Sequence, residues 1–174
     1  MPPEFIQALQ DMSLATALRE SALVFPIVLS LHLAGMGLFG GMILMTDLRL
    51  LGIAMTKRPV SDVVNGLRHW KHLGLTITAT CGILLLWSKV AIYYPNPYLR
   101  IKLALFGLII IHALVFRSVY RNVTELDRSP VIPGRAKLAA ALSLVLWLSV
   151  VTAGRWIGYW EPTKPAATPT AKVN

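Results

Sequence analysis

Four apolar stretches, each close to 20 residues long, constrain this chain more than any other feature of it. They run over about residues 22–45, 73–93, 101–119 and 138–159. The hydrocarbon core of a bilayer is roughly 30 Å thick, so a helix rising ~1.5 Å per residue crosses it in about 20 apolar residues. Lipid offers no partner for backbone N–H and C=O groups, so such a stretch must be helical. The joints are short, and neighbouring helices therefore run antiparallel. The expected fold is all-α: a polytopic membrane four-helix bundle over residues 1–160, with a disordered tail at 161–174 punctuated by Pro162, Pro165 and Pro169.

Composition points the same way. The chain of 174 residues is 55% hydrophobic and 14% charged, too few charges to cover a water-facing surface. Its single cysteine, Cys81, excludes a disulfide framework, a C-x-x-C motif and an iron–sulfur cluster. The net charge of +9 marks membrane orientation rather than nucleic acid, since the basic loops contain few aromatics. Arg49, Lys57, Arg58, Arg68 and Lys71 follow the first stretch; Arg117, Arg121, Arg128, Arg135 and Lys137 follow the third. The positive-inside rule puts both loops in the cytoplasm and both termini in the periplasm, in a bacterial inner membrane.

Ahead of the first span, Phe5, Ile6, Leu9 and Met12 share one helical face, as in a short interfacial helix lying on the membrane. The start Met1-Pro2-Pro3-Glu4 has no basic n-region, so no cleaved signal peptide is expected. Tyr94-Pro95-Asn96-Pro97-Tyr98 reads as a tight turn, and Ser129-Pro130-Val131-Ile132-Pro133-Gly134 punctuates the other loop. Pro26 inside the first span should kink it.

Ionisable residues inside spans are functional candidates, because burying them in lipid is costly. His32 lies about 15 Å, and His112 about 16 Å, below the outer edges of spans one and three. Two imidazoles at one depth on different helices suit a bis-histidine haem b, with Arg155, Lys102 and Arg100 near its propionates. Glu20 is the second candidate partner for Arg155. Glycines and other small residues, among them Gly35, Gly40, Gly74, Gly82 and Gly154, would line the haem slot. The plainer reading is that the histidines bond neighbouring carbonyls and the glycines serve packing, as in Gly37-x-x-x-Gly41. His69 and His72, near the cytoplasmic entry of span two, read as interfacial residues beside Trp70, with a second cofactor or a quinone as the alternative.

Copper is the competing ligand. His32 and Met36 are four residues apart on one face, and Cys81 could add a thiolate from span two; imidazole with soft sulfur suits Cu(I). Asp47, at the cytoplasmic end of span one, reads as a salt-bridge partner of Arg49 or another loop arginine, or as a proton carrier beside a quinone. No Ser-His-Asp set, phosphate loop or H-E-x-x-H is present.

The run Ser30-Leu31-His32-Leu33-Ala34-Gly35-Met36-Gly37, continued by Thr46-Asp47-Leu48-Arg49-Leu50-Leu51-Gly52, resembles an uncharacterised family of bacterial four-helix inner-membrane proteins. Tyr98-Leu99-Arg100-Ile101-Lys102-Leu103-Ala104-Leu105 resembles a helix start in the copper-resistance D membrane domain, which belongs to a wider group similar to membrane b-type cytochromes. The resemblance implies haem-linked electron transfer or copper handling. The leading expectation is a b-type cytochrome-like electron-transfer protein or subunit, with haem iron on His32 and His112. It would exchange electrons between a quinone or membrane enzyme and a periplasmic redox partner or a larger complex. A copper-handling protein and a cofactor-free structural anchor subunit are the alternatives.

Overall fold

Long apolar runs free of internal helix breakers become long helices. The computed structural model describes residues 2–129 and 131–161, so Pro130 and the expected tail from Pro162 onward lie outside the described residues. Four long helices carry the architecture: α3 (Val24–Leu51), α4 (Val60–Ser88), α6 (Pro97–Val115) and α9 (Gly134–Ile157). Short helices join them: α1 (Glu4–Gln10), α2 (Ser13–Glu20), α5 (Val90–Tyr93), α7 (Arg117–Arg121) and α8 (Val123–Asp127). Helices α3, α6 and α9 are long and apolar enough to cross a membrane. The first three turns of α4 are polar, with Asp62, Asn65, Arg68, His69 and Lys71, and its apolar part follows them.

The ends of the helices differ from expectation for identifiable reasons. Asn96 is buried, and its side chain accepts from the backbone N–H groups of Tyr98 and Leu99, so α6 begins at Pro97 rather than at about residue 101. Asn96 capping followed by Pro97 is a helix start, because proline's missing N–H is one of the unbonded first-turn donors anyway. The Asn96 Nδ2 also donates to Ile157 O at the end of α9. Pro26 falls in the first turn of α3, where no N–H has an intrahelical acceptor, and no kink is called for. Span two, expected at about 73–93, divides at Lys89 into α4 and α5.

The N-terminal segment forms two helices instead of one. Ile6 turns inward and is buried, while Phe5, Leu9 and Met12 remain exposed. This cap is stitched to the far end of α4. Arg19 Nη1 donates to Gln10 O at 3.2 Å and to Ser88 O at 3.1 Å, and Trp87 Nε1 donates to Leu9 O at 2.8 Å.

The order of packing is α4–α3–α9–α6, since α3 packs on both α4 and α9, α9 packs on α6, and α4 has no comparable contact with α6. Glycines set the closest approaches. A Cβ on Gly74 would stand 2.7 Å from the Phe39 backbone nitrogen, and one on Gly35 would stand 2.9 Å from the Ile77 side chain. At the basic end a compact apolar cluster forms around Leu50, Val60, Val64, Val119, Val123 and Ala139. There the carboxyl of Asp127 accepts from the N–H groups of Val60 and Ser61, capping α4 from 67 residues away.

Candidate functional site

Because α4 and α6 do not pack against each other, a seam remains between them at the basic end. It holds a cavity of about 350 Å³ to which all four long helices contribute: Thr46 and Asp47 of α3, Lys71 of α4, His112 of α6 and Ser143 of α9. Arg117, Tyr120 and Arg121 of α7 also line it. Ile43 and Ala113 line the apolar side.

Asp47 is the chemical centre of this cavity. It is only 2% exposed, and its Oδ2 has no hydrogen-bond partner. The hydroxyls of Tyr120 and Ser143 face the carboxyl. The expected pairing with Arg49 does not form: residues two apart on a helix point to different sides, and Arg49 Nε donates to Arg58 O at 2.9 Å. The neighbouring cation is Lys71, whose charge acts on Asp47 while its ammonium donates to Thr46 Oγ1 at 3.2 Å. The Thr46 hydroxyl in turn donates a hydrogen bond to Met42 O at 2.8 Å. Burial, reinforced by the Asp47 charge, pushes the Tyr120 hydroxyl well above the ordinary tyrosine range, so Tyr120 stays a donor. Lys71, Tyr120 and Ser143 are site residues that sequence reasoning missed. Lys71 reads as a loop cation in the sequence, and the opposite charge of Asp47 on the adjoining span end is the signal that could have found it.

The structure does not bring His32 and His112 together. His32 sits against α4, its Nδ1 2.9 Å from Thr78 O and its ring where a Cβ on Gly82 would stand 2.9 Å from Cε1. His112 sits against α9, its Nε2 2.9 Å from Ala139 O, and borders the cavity with Thr46 and Asp47. About 20 Å of α3 separates the level of His32 from that of Thr46. Several glycines expected to line a slot face the chain itself, with Trp147 against Gly40, His32 against Gly82 and Lys102 against Gly154, whereas Gly37, Gly41 and Gly107 have nothing within 4 Å. A haem iron held by both imidazoles does not fit this arrangement.

The remaining candidates are scattered. Lys102 lies over the Phe106 ring and is close enough for its charge to act on His32. Arg155 donates to the Tyr159 hydroxyl, while Glu20 lies 3.8 Å from Arg19 instead. Arg100, His69 and His72 are exposed. Cys81 is buried on α4, next to the Gly82 that faces His32, and Met36 is half-buried on α3. Among the described residues no three His, Cys, Asp or Glu side chains gather as a metal cluster.

Fold and site define an all-helical protein with helices long and apolar enough to span a membrane and a buried polar cavity at one end. Residues 21–160 match the model of a family of unknown function, DUF6644, and the chain belongs to that family. No curated protein and no solved structure matches it.

Proposed function

We propose that this protein is a four-span bacterial inner-membrane subunit of an electron-transfer assembly, and that it binds the head group of a quinone in the cavity between α4 and α6. The observation that carries the reading is the buried Asp47 carboxyl with an unpartnered oxygen, facing Lys71 and Tyr120 beside an apolar seam. A lipid-soluble ligand reaches such a seam from the bilayer. Its carbonyl oxygens accept from Lys71 and Tyr120, and Asp47 is the group that gives or takes a proton beside it. The cavity volume lies at the small end of the usual range for ligand sites, about 300–1,000 Å³, which suits a single ring. The basic end faces the cytoplasm and both termini face the periplasm, as the arginine-rich loops argue. The exposed Phe5, Leu9 and Met12 rest in the outer interface.

A second reading keeps the cytochrome-like function, with His32 as the ligand from this chain. Nδ1–H donation to Thr78 O leaves Nε2 free, the tautomer a metal-bound imidazole requires, and Lys102 nearby would suit a propionate.

The test is photolabelling of the purified protein with an azido-ubiquinone of short tail, together with an oxidised and a dithionite-reduced spectrum and metal analysis of the same sample. The quinone reading expects label in the Ile43 and Ala113 peptides, and binding about tenfold weaker in Asp47→Asn and Lys71→Met. Absence of label in those peptides sinks it. Reduced haem bands lost in His32→Ala would establish the second reading. Copper lost in Met36→Ala would favour the copper alternative, and none of these, with a co-purifying partner, would leave an anchor subunit.

A further inference from the structure

A second cavity, of about 520 Å³, opens at the same basic end between the α3–α4 turn and the segment that follows α8. Its lining carries four cations, Arg49, Lys57, Arg58 and Lys137, and one acid, Asp127. That acid is already engaged, since both of its oxygens accept backbone N–H groups of α4. Four cations against one carboxylate leave the lining with an excess of three positive charges. The turn that presents the cations is held in place. Gly52 and Met55 adopt left-handed φ values of 78° and 53°, and Arg49 is tied to the Arg58 carbonyl. Two exposed apolar side chains belong to the same segments, Ile53 of the turn at 70% and Val131 of the lining at 68% exposure.

We infer that this cavity is a binding site for the phosphate head group of an anionic phospholipid in the leaflet that the basic end meets. The cations recognise the phosphodiester, while Ile53 and Val131 enter the interfacial layer beside it. A scatter of loop cations gives a diffuse attraction to an anionic surface. A cavity lined by four of them against a single carboxylate, itself tied to the α4 backbone, holds one head group. The site is separate from the Asp47 cavity and does not depend on a quinone binding there.

The test is native mass spectrometry of the full chain released from nanodiscs of phosphatidylcholine, or of phosphatidylcholine with an equal part of phosphatidylglycerol. The expected result is one retained phosphatidylglycerol. Each removed cation weakens retention about fivefold, so Arg58→Gln/Lys137→Gln loses it. Arg68→Gln/Arg135→Gln removes equal charge from the same end without touching the cavity, and keeps the lipid. Thermal unfolding in neutral detergent shows that both double variants remain folded. Equal loss in the two variants, or no preference for phosphatidylglycerol, overturns the proposal. So does displacement of the lipid by millimolar inorganic phosphate, which would make the source a free anion.

Discussion

Gly74 and Gly37 make opposite demands on a methyl group. At Gly74 the methyl would meet the backbone of Phe39, which no rotamer change can move, whereas at Gly37 it would meet nothing within 4 Å. Gly74→Ala should therefore lower stability by about 1–3 kcal/mol, and Gly37→Ala should stay within about 0.5 kcal/mol, read as thermal midpoints in one detergent. Sequence inspection singled out both glycines but could not tell them apart, because which glycine faces a neighbour depends on helix rotation. Asp127 offers a second test at this scale. Desolvation pushes its carboxyl up, but hydrogen bonds from Ser61 and Val60, with the Arg49 charge, together outweigh this and hold it below the usual aspartate range. Its contribution is therefore complete above the unfolded value of about 3.9 and fades as pH falls through the lower folded value. Asp127→Asn should cost about 1 kcal/mol at neutral pH, and it should flatten that part of the acid limb in pH-dependent melting.

The elements were legible where lipid dictates them. Helices α3, α6 and α9 coincide with long apolar runs, since a bilayer tolerates no unbonded backbone. The start of α4 was not legible in the same way. Its first turns are polar but lie on the protein, where Val60, Val63 and Val64 pack inward. Rotation of the spans was invisible too, because helices apolar all round mark no buried face. Equal depth therefore suggested a pair of histidines that in fact face α4 and α9 separately. What joins α3 to α4 at the basic end is a shared polar contact, with Lys71 on one helix and Thr46 and Asp47 on the other. Lys71→Met should destabilise more than Lys71→Met/Asp47→Asn, because the single change strands a buried carboxylate. A double-mutant cycle should return a coupling of roughly 0.5–3 kcal/mol. Zero coupling would mean that the two charges ignore each other.

At the scale of the molecule, the row α4–α3–α9–α6 leaves its two end helices apart at the level of Asp47, and the cavity occupies that gap. Orientation belongs to this scale. With both basic loops in the cytoplasm, Val131→Cys should resist a membrane-impermeant maleimide on intact cells, and Phe5→Cys should react with it. Cys81 is buried and gives little background. The reverse pattern would invert the topology and move both cavities to the opposite leaflet.

The Asp127 cap on α4 also carries a consequence for biosynthesis. The ribosome delivers Asp127 67 residues after Val60, a delay of about 3–13 s at roughly 5–20 residues per second. During that interval the first turn of α4 lacks its acceptor, and all of α6 is synthesised before the acceptor. Closure of the α4 terminus therefore waits for all of α6 to be synthesised, but not for α9.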